Sequence, residues 1–277
     1  MAKERSIPRA AAACASAWLA ITAACEPLGP PPFSESLTLG GTEVTADTLN
    51  RGRRSYNTYC RACHGPEGDG LGPLGHQQRP RARDLRAGII KFAGVASGSL
   101  PRDQDLARVI KEGLTGTAML AWDVPPDEID AVVQFIKSFS PRWQREAAGP
   151  AIARAADPWG GDANAAAKRG EEVYHALAQC ISCHPAELPR ERLPPGVRAD
   201  VDEPRVTESS FGALAAPDLA RATLRTGDTP AALYQVIAAG IGGTAMPTWK
   251  GALPERDLWA LVHYIRRLRT AGPRSAP

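Results

Sequence analysis

Cys60-Arg61-Ala62-Cys63-His64 is a Cys-x-x-Cys-His run that is followed at once by Gly65. On one helical turn the first and fourth residues share a face, and the fifth residue can approach the same ligand from below. This order of residues is the attachment signature of a c-type haem, in which two thiols bond to the vinyl groups and the imidazole ligates the iron. For a single copy, a redox dithiol or half of a zinc knuckle are the alternatives, although neither needs the histidine.

A second copy of the motif, Cys180-Ile181-Ser182-Cys183-His184, begins 120 residues after the first. Gly116-Thr117-Ala118-Met119 recurs letter for letter as Gly243-Thr244-Ala245-Met246, which shows that the surroundings are repeated as well. Such a repeat indicates two small domains in tandem. We place them at residues 45–140 and 167–272, joined by a linker at 141–166 that is rich in Ala, Gly and Pro.

Helical spacing of apolar residues predicts the same helices in both repeats. In the first repeat they span Thr48–Tyr59, Asp105–Gly113 and the residues after Pro125, with Gly52 letting Phe135 approach. In the second repeat they include the residues before Gly240 and those after Pro254. The distance from motif His to Met is 55 residues in one repeat and 62 in the other, and we assign the extra length to a surface loop around Leu188–Glu208.

Methionine is scarce in this chain, which has only Met1, Met119 and Met246. The last two stand at equivalent positions of the repeats, so each is the candidate sixth ligand of one iron, with core filler as the alternative. Trp122 and Trp249 follow three residues after these methionines. They either wall the haem pocket, donating an indole N–H to a propionate, or pack in the core.

The first residues predict export. Residues 1–9 are basic and residues 10–24 are uncharged and mostly apolar, as in a secretory signal peptide covering 1–24. Small residues lead into Cys25, which favours a lipidated N-terminal cysteine on the periplasmic side of a bacterial membrane. Residues 25–44 begin with a Pro-rich run and are predicted to be a tether. A soluble periplasmic protein and an uncleaved anchor are the alternatives.

Composition excludes several functions. The formal charge of +3 comes without a basic stripe or interleaved aromatic patch, so nucleic acid is not an expected partner. Outside residues 1–25 and the two motifs the chain has no cysteine, and this argues against enzymes that need a spare thiolate ligand.

The order of a Gly-containing helix, Cys-x-x-Cys-His, a short helix, a Met turn and a final helix resembles the class I cytochrome c family. The resemblance covers both repeats and implies an all-α fold of two tandem cytochrome c-like domains, each with a few helices wrapped around a covalently bound haem. It implies two haem c groups with thioether bonds to Cys60, Cys63, Cys180 and Cys183. It also implies the axial pairs His64 with Met119 and His184 with Met246.

A His/Met-ligated iron is closed to substrates and suits electron transfer. We therefore expect an electron carrier and not an enzyme. Its expected partners are redox proteins such as a terminal oxidase, a quinol-oxidising complex or a periplasmic dehydrogenase. A tethered subunit of a membrane oxidase or dehydrogenase complex is the main alternative, ahead of a di-haem peroxidase or a sulfur-compound dehydrogenase.

Overall fold

The computed structural model describes residues 30–186 and 204–270. Two groups of helices follow one another along the chain, and each group surrounds its own cluster of buried apolar side chains. The strands in these ranges form only two short antiparallel hairpins. The predicted all-α class is confirmed.

The first group contains a hairpin and five helices. In chain order they are β1 (Leu37–Leu39), β2 (Thr42–Val44), α1 (Ala46–Tyr59), α2 (Arg61–His64), a 3₁₀ turn at Gly75–Gln77, α3 (Asp103–Glu112), α4 (Pro126–Ser138) and α5 (Arg142–Arg145). The second group contains α6 (Ala163–Glu172), a π-helical turn at Val173–Leu177, a 3₁₀ turn at Cys180–Ser182, β3 (Val206–Thr207), β4 (Leu214–Ala215), α7 (Pro230–Ala239) and α8 (Glu255–Thr270).

The predicted helices form where the sequence signals placed them. The hydroxyl of Thr45 accepts a hydrogen bond from the Thr48 amide and caps α1. Helix α3 ends at Gly113, whose φ of 69° is open to glycine without strain. Prolines open α4, with Pro126 in its first turn.

Glycine permits the closest helix contact in each half. A Cβ on Gly52 of α1 would lie 2.0 Å from the Ala131 carbonyl oxygen and 2.9 Å from Cβ of Phe135. A Cβ on Gly170 of α6 would lie 2.1 Å from the Ala260 carbonyl oxygen of α8. The approach predicted at Gly52 is confirmed, and the same crossing is built a second time.

Residues 33–44, which we expected to be the end of a tether, instead belong to the first helical group. The β1–β2 hairpin buries Leu39 completely, and the Gly40 amide donates to the Trp143 carbonyl at 2.6 Å. Trp143 itself lies in the expected linker but is only 1% exposed. These side chains cover apolar surface on the α1–α4 pair, which a solvated tether and linker would leave open.

Several predicted features lie outside the described residues. The signal peptide, Cys25 and the first residues of the Pro-rich run fall in residues 1–29, and most of the expected long loop falls in 187–203. Within the ranges that are described, no helix has both the length and the apolar composition needed to cross a membrane.

Candidate haem sites

The first motif turns tightly at the end of α1. Cys60 caps α1, and the amides of Cys63 and His64 both donate to its carbonyl, at 3.2 and 2.9 Å. The two cysteines and the histidine thereby share a single turn, as the spacing predicts. The buried Tyr56 hydroxyl donates to the Gly65 carbonyl at 2.8 Å and ties α1 to the end of this turn.

The His64 imidazole is oriented by the backbone. Its Nδ1 lies 2.9 Å from the Arg83 carbonyl oxygen, so Nδ1 carries the proton and Nε2 keeps its lone pair. Burial lowers the pKa of His64, which favours the neutral imidazole. A neutral ring with one nitrogen held by a carbonyl is the usual state of a metal-ligating histidine.

The glycine-rich loop after the first motif lies directly against it. A Cβ on Gly72 would stand 2.5 Å from the Ala62 carbonyl oxygen, and one on Gly75 would stand 1.9 Å from the Cys63 carbonyl oxygen. Side chains at these positions would push the loop away from the cysteines, so the glycines serve this close contact.

The second motif repeats this arrangement. The amides of Cys183 and His184 donate to the Cys180 carbonyl at 3.1 and 2.9 Å. His184 Nδ1 lies 2.9 Å from the Pro217 carbonyl oxygen, and the Tyr174 hydroxyl donates to the His184 carbonyl at 2.7 Å. Burial lowers the pKa of His184 as well.

The two Met turns share one hydrogen-bond pattern. In the first turn the Met119 amide donates to Thr117 Oγ1 at 3.0 Å, and that hydroxyl donates to the Leu114 carbonyl at 2.8 Å. In the second turn the Met246 amide donates to Thr244 Oγ1 at 3.2 Å, and that hydroxyl donates to the Ile241 carbonyl at 2.8 Å. Both methionines are half-buried.

The first Met turn lies beside the first motif. Cys60 and Met119 both pack against the same buried cluster, and the ring of Trp122 meets that of Tyr59, next to Cys60, with 6.0 Å between centroids. In the second half Cys180 and Trp249 pack against a common cluster. The two tryptophans differ in exposure, because Trp122 is 39% exposed whereas Trp249 is half-buried.

The remaining histidines are engaged elsewhere. His76 Nδ1 lies 3.3 Å from the Gly72 carbonyl oxygen, and His263 Nε2 lies 2.7 Å from Asp157 Oδ2. His175 is 1% exposed, and its Nε2 is 2.8 Å from the Tyr264 hydroxyl.

The cysteines do not have the electrostatics of a redox dithiol. Burial raises the pKa of the Cys60 and Cys180 thiols to about 12 each. Reactive Cys-x-x-Cys motifs require a depressed thiol pKa, because the thiolate is the nucleophile. The alternative that we kept open for a single motif is therefore disfavoured at both.

The surroundings of the first motif fit a large apolar group. Leu71 and Leu74 of its loop are 61% and 52% exposed, and Leu120 beside Met119 is 64% exposed. With Trp122 they leave apolar surface on both the motif side and the Met side, which a porphyrin would cover. Paired thiols, a free imidazole nitrogen and a thioether complete a donor set that fits haem c.

Sequence reasoning missed the two carbonyls that orient the histidines. Arg83 and Pro217 lie in segments that are similar in the two repeats, Ala82-Arg83-Asp84-Leu85 and Ala216-Pro217-Asp218-Leu219. These segments recur in both repeats without the apolar spacing of a helix or strand. This recurrence was the available indication that they have a role beyond core packing.

Comparison with known proteins decides the family. Residues 47–136 and 165–265 match the model of the family described as Cytochrome C oxidase, cbb3-type, subunit III. The chain belongs to that family. This c-type cytochrome is also similar in structure to a chain of the Kuenenia stuttgartiensis reducing HAO-like protein complex Kustc0457/Kustc0458, with a TM-score of 0.67 and 29% identity over 79% of this chain and 95% of that chain. No curated protein sequence matches it.

The match in two regions confirms the resemblance to a tandem c-type cytochrome. Proteins of this kind carry covalently bound haem c and transfer electrons, so the partners of this cytochrome are redox proteins. The cysteine pairs Cys60/Cys63 and Cys180/Cys183 have the spacing that such attachment requires.

Proposed function

We propose that this cytochrome carries electrons through two His/Met-ligated c-type haems between respiratory partners in the periplasm. One site would use Cys60, Cys63, His64 and Met119, and the other would use Cys180, Cys183, His184 and Met246. The observation that carries the proposal is that the same hydrogen bonds fix a neutral imidazole and a Met turn in both halves.

The haem supplies the redox chemistry when it is bound, and the chain supplies its ligands and its surroundings. The carbonyls of Arg83 and Pro217 hold each imidazole so that Nε2 can face the iron. The threonine hydroxyl of each Met turn fixes the backbone that presents the thioether. A soft thioether as second ligand stabilises the reduced iron and raises its potential.

The ligand assignment is tested with Met119→Ala and Met246→Ala in separate holoproteins. Each variant should lose about half of the far-red iron–sulfur absorption of the ferric protein and should open one reduced haem to carbon monoxide. Lys111→Ala, at an exposed position of α3, serves as the control and should bind none. Full far-red absorption in either methionine variant would refute that methionine as a ligand.

The haem count is tested by mass. The intact protein should carry the mass of two haems, and the double substitutions Cys60→Ala/Cys63→Ala and Cys180→Ala/Cys183→Ala should each remove one. A wild-type protein with a single haem would overturn the proposal for the empty motif.

The two sites should differ in reduction potential, because their surroundings differ. A glycine-rich loop packs on the first motif, whereas the Cys183 carbonyl of the second accepts a hydrogen bond from the Arg205 amide. The backbone carbonyl that holds the first histidine belongs to a charged residue, Arg83, and the one that holds the second belongs to Pro217. A redox titration should show two separated transitions, and superposed transitions would contradict this expectation.

A fixed place in a complex is the second candidate. The family description names an oxidase subunit, and the similar solved chain belongs to a multiprotein complex. The chemistry is the same as for a free carrier, but the partner would be permanent. Purification from gently solubilised membranes separates the two, since a subunit would co-elute with an oxidase or dehydrogenase and a carrier would elute without one.

Lipidation at Cys25 would place the protein on the periplasmic face of the membrane. The apolar run before Cys25 and the Pro-rich residues after it support this location. The wild-type protein should sediment with membranes and carry acyl chains on its N-terminal peptide. Cys25→Ser should be released from the membrane, and an unmodified wild-type N-terminus would refute the anchor.

A further inference from the structure

The two halves of the chain contact each other through equivalent positions. Aligning the repeated Asp84-Leu85 with Asp218-Leu219 makes Ile89 equivalent to Thr223 and Lys91 equivalent to Arg225. Aligning the Met turns makes Thr115 equivalent to Gly242 and Gly116 equivalent to Gly243. We call residues 89–91 and 223–225 the facing segments.

Each Met turn donates one backbone hydrogen bond to the opposite facing segment. The Gly242 amide donates to the Lys91 carbonyl at 3.1 Å, and the Thr115 amide donates to the Arg225 carbonyl at 2.9 Å. Donor and acceptor are equivalent residues in the two bonds, with the roles of the halves exchanged.

The neighbouring close contacts are exchanged in the same way. A Cβ on Gly243 would lie 2.7 Å from Ile89 Cγ2, and a Cβ on Gly116 would lie 3.1 Å from Thr223 Cγ2. A surface on which residue i meets residue j while j meets i is the mark of twofold symmetry. The halves therefore pack as the two subunits of a symmetric dimer would.

A further contact connects the first histidine with the second Met turn. The Arg83 guanidinium lies 3.5 Å from the centroid of the Phe211 ring, and the Arg83 carbonyl is the one that holds His64. Phe211 lies against the second Met turn, since a Cβ on Gly243 would be 2.9 Å from its ring. The Ser210 amide beside it donates to the Gly243 carbonyl at 2.9 Å.

Glycine at position 242 is required by this interface and not by the turn. A Cβ there would lie 2.3 Å from the Ile90 carbonyl oxygen of the other half. The equivalent turn position in the first half carries Thr115, whose side chain is exposed. A Met turn can therefore carry a side chain at this position, as the first one does, and only the close approach of Ile90 excludes one from the second.

We propose that the two halves form an intramolecular pseudo-twofold dimer through their Met turns, so that both redox sites border one interface and electrons pass directly between them. Gly242 and Phe211 are positioning residues for this transfer. The inference rests on the proposed function, because it requires a haem beside each Met turn.

The test uses the holoprotein with Gly242→Ala, Phe211→Ala and the control Val206→Ala, whose side chain is 62% exposed on the same hairpin region as Phe211. Loss of interface hydrogen bonds should raise amide exchange in peptides covering 89–99 and 240–248 roughly tenfold in the first two variants. Their coupled Soret circular dichroism and the rate of electron transfer between haems after rapid one-electron reduction should both fall. The control should match the wild type.

Unchanged exchange, Soret coupling and transfer rate in Gly242→Ala and Phe211→Ala would overturn the inference. Failure of the proposed function is recognised in the wild type itself, which would then lack the far-red iron–sulfur absorption or the second haem. Failure of the interface proposal is recognised only in the variants. Retention of the far-red absorption in both variants shows that each ligand pair has survived the change at the interface.

Discussion

A buried histidine is useful to iron only if one ring nitrogen is left free. His64 and His184 use Nδ1 on a backbone carbonyl and keep Nε2. His175 is also buried, but its Nε2 is 2.8 Å from the Tyr264 hydroxyl and its Nδ1 has no hydrogen-bond partner. Unlike the two motif histidines, His175 is held by a side chain and not by a backbone carbonyl, and we expect its burial to make the second half sensitive to acid.

Burial lowers the pKa of His175 to about 4, from an ordinary value of 6.5. Above pH 6.5 the ring is neutral in both the folded and the unfolded chain and adds no pH dependence. Between pH 6.5 and 4 only the unfolded chain takes the proton, so the free energy of unfolding should fall, by at most about 3 kcal/mol. His175→Gln, which does not titrate, should remove most of this fall.

The measurement is chemical denaturation of the holoprotein at pH 7.5 and pH 4.5, followed in the second half by hydrogen exchange. His76→Gln, in the loop of the first half, is the control and should keep the wild-type pH dependence. Equal acid sensitivity in the wild type and His175→Gln would show that the proton binds elsewhere.

At the scale of elements, each half depends on one helix crossing at a glycine. Helix propensity alone would make Gly52→Ala and Gly170→Ala stabilising by about 1 kcal/mol. The added Cβ would instead lie 2.0 and 2.1 Å from carbonyl oxygens of α4 and α8, so we expect destabilisation of about 3 kcal/mol or more. Thermal unfolding decides the sign, with Arg54→Ala on the exposed face of α1 as control; a raised midpoint in either glycine variant would contradict the packing.

The elements also show how far the sequence could be used. Helical spacing was sufficient for α1, α3, α4, α7 and α8, because their apolar faces are continuous. It did not predict the π-helical turn Val173–Leu177. The spacing does differ between the repeats, because Gly52 precedes its motif cysteine by 8 residues and Gly170 precedes its own by 10. The wider turn and the left-handed Gln179, at φ 48°, take up the two extra residues.

Contacts between distant segments were beyond any local pattern. The β1–β2 hairpin and Trp143 lie in stretches whose composition resembles a tether and a linker, and they are ordered only because the α1–α4 pair offers them apolar surface. The carbonyls that orient the histidines could not be predicted either, since every residue type has a backbone carbonyl. Cofactor chemistry was predictable from side chains, whereas its support comes largely from the backbone.

For the whole molecule, the segment between the two helical groups contributes to their packing. The Ile152 amide donates to the Gly94 carbonyl of the first half at 2.8 Å. Further on, the Trp259 indole of α8 donates to the Ala155 carbonyl at 3.1 Å. A segment held on both halves restricts their relative motion and supports the pseudo-twofold interface.

If these non-covalent contacts hold the two halves together, an unbroken peptide chain between them is not needed. A protease site inserted between Ala147 and Ala148, both exposed, can be cut in the folded holoprotein. The two fragments, each carrying its own haem, should separate on a denaturing gel but elute together in native gel filtration, because the interface and the contacts of residues 149–155 remain. The same cut in Gly242→Ala should release two smaller red species. Separation of the fragments in the cut chain that keeps Gly242 would mean that the unbroken linker, and not the facing Met turns, holds the molecule together.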